Sequence, residues 1–259
     1  MSDILILGGG GFVGSGIARQ CDARGLDYAA ITRANYAEAR GSRCRIFINA
    51  NGNSRKPLAK QDPVGEFDAS VRSVRASLVD FSYDCYVHLS SCDVYPDCSS
   101  PQTTHEDQVL DPATQSPYGF HKYLAEQCVR HAAPRHLILR LGGFVGPGLK
   151  KNAIFDILNG GPLWLDPASE LQFMNTDACG GLLLDMAERH TGTFNLCGRG
   201  VVRLRDVMEF AGKPDLPVNP GSPCVRYEVS VEKTSQAVDV PATRDAVFAF
   251  VRQASAVRE

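Results

Sequence analysis

A glycine-rich turn directly after the first apolar segment constrains the fold of this chain most strongly. Residues 4–7 (Ile-Leu-Ile-Leu) are continuously apolar, and Gly8, Gly11 and Gly14 follow as a helical pattern begins near Phe12. A short, uninterrupted apolar strand is typical of a parallel sheet that is buried on both faces. Glycines at this spacing permit a tight turn and let backbone amides at a helix N-terminus approach an anion. The segment therefore predicts a strand–turn–helix unit that binds a pyrophosphate.

Strand and helix patterns alternate from the N-terminus to about residue 147. Predicted strands cover residues 4–7, 28–32, 45–50, 85–90 and 137–141, and predicted helices lie at 12–24, within 63–82 and at 117–132. Alternation of this kind predicts an α/β fold, a Rossmann-like doubly wound parallel sheet with right-handed crossovers. The connection between the second and third strands is unusually short.

The alternation weakens after the segment Gly146-Pro147-Gly148. The remaining patterns are a short helix within 148–175, a helix at 176–190, a strand at 193–196, a helix after Leu204, a possible strand Arg226–Val231 and a last helix from about Thr243. We predict a dinucleotide-binding domain of residues 1–147 plus 176–200. Residues 148–175 plus 201–259 are predicted to form a small C-terminal substrate-binding cap over the carboxyl edge of the sheet.

Composition excludes several classes of protein. The 259 residues carry a net charge of −2 and no basic run longer than Lys150-Lys151, so no nucleic-acid partner is expected. The nine cysteines are scattered without a C-x-x-C pair, which indicates reduced thiols and a cytoplasmic location. Met1 leads within three residues into the first strand, so no signal peptide is expected, and the apolar runs are too short for a membrane span. The histidines lack an H-E-x-x-H spacing, and no metal site is predicted.

Ser91, Tyr118 and Lys122 form the second informative group. Ser116 followed by Pro117 predicts a helix start, which puts Tyr118 and Lys122 one turn apart on the same helix face. An ammonium favours the phenolate and lowers a tyrosine pKa from its usual value of about 10. Ser91 ends a predicted strand and can donate a hydrogen bond to a carbonyl oxygen. Together with the glycine turn, the group predicts hydride and proton transfer between a nicotinamide and a carbonyl or carbinol carbon.

Arg33 directly follows the second strand and bears on the choice of dinucleotide. An NAD site normally has Asp or Glu there to bind the ribose 2′-hydroxyl, whereas an arginine suits the 2′-phosphate of NADP. A solvated surface arginine is the alternative interpretation. We predict NADP, with NAD as the alternative.

Five segments occur in the order of a known family. They are Gly8-x-x-Gly11-x-x-Gly14, Ser90-Ser91-Cys92-Asp93-Val94-Tyr95, Tyr118-x-x-x-Lys122, Arg140 followed by Gly146-Pro147-Gly148, and Phe173-Met174-Asn175-Thr176-Asp177. With them the chain resembles the extended short-chain dehydrogenases/reductases of the nucleotide-sugar epimerase/dehydratase branch. The resemblance implies a Rossmann domain with bound NADP or NAD, a substrate that is often a nucleotide-linked sugar, and a possible homodimer.

The resemblance and the residue patterns together identify the expected site residues. The resemblance implies that Ser91, Tyr118 and Lys122 are the catalytic residues. The expected cofactor-binding residues are Gly8, Gly11, Phe12, Val13, Gly14, Arg33, Asn51, Tyr118 and Lys122. The expected substrate-binding residues are Ser91, Asp93, Lys151 and Asn152, although Lys150 and Lys151 are equally well interpreted as solvated surface lysines.

Departures from the family pattern reduce the number of reactions that we expect the protein to catalyse. Cys92 stands where dehydratases carry a catalytic Asp, which disfavours a 4,6-dehydratase. The chain between the second strand and Cys44 is too short for the extra strand of the family and its adenine-contacting Asp. Residues 49–52 replace a more apolar stretch that borders the cofactor in the family. The leading hypothesis is an NADP-dependent reductase of a sugar carbonyl. The alternatives are an epimerase that retains NAD and a catalytically silent NADP-binding sensor or assembly subunit.

Overall fold

A computed structural model of the protein, which describes residues 2–256, contains one central parallel sheet and two small ones. The strands are β1 (Ile4–Leu7), β2 (Tyr28–Ile31), β3 (Arg43–Asn49), β4 (Ser82–Ser91), β5 (His136–Leu141), β6 (Gly143–Val145), β7 (Glu170–Leu171), β8 (Phe173–Asn175), β9 (Gly192–Leu196), β10 (Val202–Arg203) and β11 (Arg226–Tyr227). The α-helices are α1 (Phe12–Ala23), α2 (Tyr36–Ala39), α3 (Leu58–Gln61), α4 (Pro63–Phe67), α5 (Ser73–Asp80), α6 (Pro117–Ala132), α7 (Ala153–Asn159), α8 (Thr176–Arg189), α9 (Leu204–Phe210), α10 (Glu232–Ala237) and α11 (Thr243–Ala256).

The central sheet has six parallel strands in the order β2-β1-β3-β4-β5-β9. Helices α1 and α8 pack on one face through Ile17 and Leu183, and α5 and α6 pack on the other through Val74 and Val129. Strand β4 alternates between these layers, since Val87 faces the first and Tyr86 faces the second. The predicted α/β fold with a Rossmann-like sheet is confirmed.

Among the described strands, only β2 lies beyond β1 on one side of the central sheet. After β2 the chain makes one turn of helix, α2, and returns as β3 to pair with β1 on its other side. Strand β2 is therefore an edge strand, which agrees with the short connection seen in the sequence. An adenine held near the end of β2 would lack the wall that a further strand provides.

Two elements differ from their sequence-based predictions. The helix predicted within 63–82 is α4 and α5 joined by a π turn over Asp68–Arg72, and Ser82 already begins β4. The predicted strand Arg226–Val231 was wrong beyond Tyr227, because the Val229 amide donates to Gln172 Oε1 and the Ser230 amide to Thr104 Oγ1. Side chains thus take the hydrogen bonds that a neighbouring strand would have supplied.

The C-terminal part of the chain builds a third apolar cluster with residues that follow β5. Its members include Val145, Phe173, Leu204, Val247 and Val251. Strands β6 and β8 pair in parallel, and β7 lies between β10 and β11 in a separate three-stranded sheet. Within residues 2–256 no helix combines the length and apolar character that a membrane span needs.

Candidate active site

The glycine turn joins β1 to α1 at the carboxyl edge of the sheet. Gly8 has a φ of +82°, and a Cβ there would lie 2.9 Å from the backbone of Ala50, while a Cβ on Gly14 would overlap the carbonyl oxygen of Gly8. Gly10, in contrast, has no atom within 4 Å of where its Cβ would be. Gly11 caps α1 without any side-chain hydrogen bond, so the first amides of α1 are not used by a side chain. A tight turn with an open side at a helix N-terminus fits a pyrophosphate.

Tyr118 and Lys122 lie one turn apart on α6, which begins as predicted. The Ser116 hydroxyl accepts a hydrogen bond from the Gly119 amide at 3.1 Å, and Pro117 occupies the first helical position. A Cβ on Gly119 would overlap the carbonyl oxygen of Asp93, so α6 packs directly against the turn that follows β4. This close approach brings Tyr118 beside Ser91, the last residue of β4.

The three side chains are buried, and burial governs their protonation. Burial raises the pKa of Tyr118 well above its usual value, Asp93 and Glu66 raise it further, and Ser91 lowers it. Burial lowers the pKa of Lys122, whereas Glu66, Asp93 and Glu126 raise it. The Lys122 Nζ atom lies 5.7 Å from the centre of the Tyr118 ring. Lys122 is not among the groups that shift the pKa of Tyr118, so the lowering that we expected from it is not found, and burial keeps the phenol in its protonated form.

The segment after β3, residues 51–56, covers this group. The Tyr118 hydroxyl donates to the Asn53 carbonyl at 3.2 Å, and a Cβ on Gly52 would lie 3.0 Å from Lys122 Nζ. Sequence reasoning did not assign Asn53 to the site. The one available signal was the departure of residues 49–52 from the apolar family pattern.

Two of the predicted substrate-binding residues are engaged by this covering segment. The Asp93 carboxylate accepts from the Ser91 hydroxyl at 3.0 Å and pairs with Lys56 at 2.8 Å. Lys151 donates to the carbonyl oxygen of Ser54 at 2.7 Å. Lys56, another residue that sequence reasoning missed, belongs to the same covering segment as the Ser54 carbonyl that Lys151 contacts.

Asn51 and Asn152 form hydrogen bonds with other parts of the protein. The Asn51 amide donates to Asn49 Oδ1 at 3.0 Å, beside the glycine turn. Asn152 caps α7 by accepting from the Phe155 amide at 3.0 Å, and its Nδ2 donates to the Phe144 carbonyl at 2.8 Å. It does so with a φ of +131°, which a residue other than glycine rarely adopts.

Arg33 extends from the turn after β2. Its side chain is exposed and forms no ion pair or hydrogen bond among the described residues. The turn itself is closed by Asn35, whose Oδ1 accepts from the Thr32 amide at 2.6 Å and whose Nδ2 donates to the Ala30 carbonyl. The arginine thus projects from a braced turn at the edge of the sheet.

A buried ion pair lies under Ser91. Arg140 on β5 bonds the Glu126 carboxylate at 2.9 and 3.0 Å and the Tyr95 hydroxyl at 2.8 Å. The Ser90 hydroxyl also donates to Glu126, at 2.6 Å. Such a fully paired network fixes the end of β4 relative to α6.

Cys92 and His88 are buried in the interior of the protein. Cys92 is fully buried, its Sγ lies 3.3 Å from the Arg140 carbonyl oxygen and 3.5 Å from Cys197 Sγ, and burial raises its pKa. Cys92 therefore cannot act in place of the missing acid. His88 is buried in β4, and burial lowers its pKa to about 3.

The motifs and the fold agree with comparisons to known proteins. Residues 45–157 match the NAD dependent epimerase/dehydratase family. The predicted resemblance to this family is confirmed over those residues. With it the predicted class is confirmed too, that of NAD(P)-dependent enzymes of the short-chain dehydrogenase/reductase type. A comparison with curated protein sequences gives no match.

Solved structures share the fold over nearly the whole chain. MoeE5 in complex with UDP-glucose and NAD has a TM-score of 0.80 at 15% identity and covers 99% of this chain and 100% of its own. The dTDP-4-dehydrorhamnose reductase of Bacillus anthracis in complex with NADP has a TM-score of 0.78 at 13% identity, with 98% and 99% covered. A UDP-galactose 4-epimerase has a TM-score of 0.77 at 18% identity, also with 98% and 99% covered. At these identities the similarity establishes the fold.

Proposed function

We propose that the protein is an NADP-dependent reductase that acts on a carbonyl group of a nucleotide-linked sugar or a similar compound. The observation that carries the proposal is the buried, protonated Tyr118, with Ser91 beside it and Lys122 one helical turn away. A neutral phenol with an ammonium near its ring can donate a proton. The open glycine turn at the same edge of the sheet suits the dinucleotide.

Each residue has a role in binding before the reaction. The amides of Phe12 and Val13 would hold the pyrophosphate, and Arg33 would bind the ribose 2′-phosphate. Lys122 would hydrogen-bond the nicotinamide ribose. When bound, NADPH supplies the hydride that the carbonyl carbon receives.

The protein's own residues handle the proton and the oxygen. The Ser91 hydroxyl turns from Asp93 to the substrate carbonyl and orients it, and the substrate oxygen replaces the Asn53 carbonyl as the hydrogen-bond acceptor of Tyr118. Tyr118 donates its proton to that oxygen as the carbon gains hydride, so a ketone or aldehyde becomes an alcohol. The Lys122 ammonium stabilises the phenolate that remains until a proton from solvent restores it.

Replacing Tyr118 tests the proposal. Tyr118→Phe removes the donated proton and should lower kcat by about 10²–10⁴-fold while NADPH still binds. The measurement is NADPH oxidation with a panel of nucleotide-linked keto sugars, together with NADPH fluorescence titration. Tyr123→Phe, on the same helix, is the matched control and should keep wild-type turnover. Undiminished turnover in Tyr118→Phe would refute the catalytic role.

The nucleotide part of the substrate is proposed because two lysines lie at the segment that covers the site. Lys56 pairs with Asp93 and Lys151 donates to the Ser54 carbonyl, and a phosphate group could replace these two partners. MoeE5, whose fold this chain shares, is in complex with UDP-glucose. Residues 148–175 plus 201–259 are proposed to form the remainder of the substrate pocket, and a cytoplasmic homodimer stays a prediction.

An epimerase that retains NAD is the second candidate, because the same acid–base group serves oxidation and reduction at one carbon. Mass spectrometry of small molecules released from purified protein separates the two functions. Tightly bound NAD, with no net consumption of NADPH, would favour the epimerase. The buried Cys92 argues against a 4,6-dehydratase.

A further inference from the structure

A buried carboxylate lies next to the helix that carries Tyr118 and Lys122. Glu66, near the end of α4, has no exposed side-chain surface. The Ser70 hydroxyl donates to its Oε1, and the Nδ1 atom of His121 contacts its Oε2. His121 directly precedes Lys122 on α6, and the Phe67 ring packs edge-on against its imidazole at 5.5 Å. Nothing in the proposed reaction explains why an acid should be buried here.

The backbone around Glu66 is also unusual. A π turn over Asp68–Arg72 interrupts the helix immediately after it and carries Ser70. Single π turns within helices are rare and occur frequently at functional sites. The acid is therefore held by a specific local structure as well as by two side chains.

The charges around Lys122 distinguish Glu66 from the other nearby acids. Glu66, Asp93 and Glu126 all favour the ammonium form of Lys122, and burial opposes it. Asp93 is paired with Lys56, and Glu126 is paired with Arg140 and Arg130.

Glu66 has no such permanent cation. Among residues 2–256 no lysine or arginine pairs with it. The other titratable groups of the described residues that face Lys122 are Tyr118, whose raised pKa keeps it protonated, and His88 on β4, whose low pKa keeps it neutral.

We propose that Glu66 is a positioning residue whose carboxylate, held by Ser70 and His121, supplies the counter-charge that keeps buried Lys122 an ammonium. The inference rests on the proposed function, in which Lys122 binds the cofactor ribose and supports Tyr118. A neutral amine at Lys122 would have fewer hydrogen-bond donors for the ribose and no charge for the phenolate. Glu66 would thus act on the reaction through Lys122 without touching the substrate.

The pH dependence of NADPH binding tests this role without a known substrate. The dissociation constant is measured by fluorescence titration from neutral pH to about pH 10, the range in which a lysine loses its proton. Wild-type affinity should fall at the alkaline end as Lys122 is deprotonated. Glu66→Gln keeps the shape of the side chain and removes its charge, so the fall should begin about one pH unit lower. Glu66→Asp keeps the charge and should restore the wild-type midpoint.

Two further variants distinguish an effect of the Glu66 charge from a purely structural effect on NADPH binding. His121→Lys places a permanent cation against the intact Glu66 carboxylate and should move the midpoint in the same direction as Glu66→Gln. Glu188→Gln, on the surface where Glu188 pairs with Arg45, is the matched control and should leave the midpoint unchanged. A folded Glu66→Gln or His121→Lys protein with the wild-type midpoint would overturn the inference.

Lys122→Met separates this inference from the proposed function. Loss of the alkaline transition in Lys122→Met would identify Lys122 as the titrating group. If Lys122→Met keeps that transition, the role of Lys122 in cofactor binding is wrong, and the inference falls with it. If Lys122→Met loses the transition but Glu66→Gln keeps the wild-type midpoint, only the role of Glu66 is wrong.

Discussion

At the scale of single residues, the proposed preference for NADP depends on the exposed Arg33. Its guanidinium has no partner in the described part of the chain, and it follows β2, where the ribose of a bound dinucleotide would lie. A 2′-phosphate at that point would be its first charged partner. The early end of the sheet at β2 leaves Arg33 open to solvent, so its contribution is moderated by screening.

We predict that Arg33→Ala weakens NADPH binding about tenfold and leaves NADH binding unchanged, since a charge-assisted hydrogen bond contributes on the order of 1.5–3 kcal/mol. Fluorescence titration with both cofactors measures the effect. Arg43→Ala is the matched control, because Arg43 pairs with Asp84 near the amino-terminal ends of β3 and β4. Tighter wild-type binding of NAD than of NADP would contradict the assignment.

At the scale of elements, the candidate site lies where the carboxyl end of β4 meets the first turns of α6, and a buried network joins these two elements. Glu126 on α6 is shared by Ser90 on β4 and Arg140 on β5, and none of the three is exposed to an appreciable degree. A second arginine, Arg130, reaches the same carboxylate from the surface at 3.2 Å. The two arginines therefore pair with the same carboxylate, but Arg140 is buried and Arg130 is partly exposed.

This difference predicts very different effects on stability. Arg140→Met leaves the Glu126 carboxylate buried without its main partner and should lower the free energy of unfolding by about 3–5 kcal/mol. Arg130→Met removes a partly exposed partner and should change it by about 0–1 kcal/mol. Urea denaturation of both variants provides the comparison. Equal losses would show that burial of the pair does not govern its contribution.

At the scale of the whole molecule, the central strand contains an unpaired polar group. Both ring nitrogens of His88 lack a hydrogen-bond partner among the described residues, in the strand that carries Ser91 at its end. Burial, with Lys122 and Arg130 nearby, lowers the pKa of His88 from 6.5 to about 3. The unfolded chain therefore binds a proton on this residue at a higher pH than the folded protein does.

The free energy of unfolding should consequently decrease as the pH is lowered below about 6.5. Between pH 6.5 and pH 5 the His88 contribution amounts to about 2 kcal/mol, and above pH 6.5 it disappears. His88→Leu removes this titration and should flatten the dependence of the unfolding free energy on pH, measured by urea denaturation at several pH values. His105→Leu, at an exposed position, is the control and should keep the wild-type slope. An equal slope in His88→Leu would contradict the low pKa.

Local patterns in the sequence were sufficient for most of the elements and for part of the candidate site. The first strand, its glycine turn and the start of α6 were predictable because strand periodicity, helix capping and proline act over a few neighbouring residues. The Tyr118–Lys122 spacing follows from the helix itself. The strand predicted at Arg226–Val231 failed because distant side chains, Gln172 and Thr104, take its backbone hydrogen bonds.

The sequence by itself determined the α/β class, the family resemblance and the spacing of Tyr118 and Lys122, and it predicted that these two residues form a group with Ser91. Only the tertiary structure decided their surroundings: Asn53 on the phenol, Lys56 on Asp93, and Glu66 near Lys122. These contacts join positions far apart in the chain, and no local spacing encodes them. Protonation depends on burial and on those distant charges, which is why the raised pKa of Tyr118 could be derived only from the folded molecule.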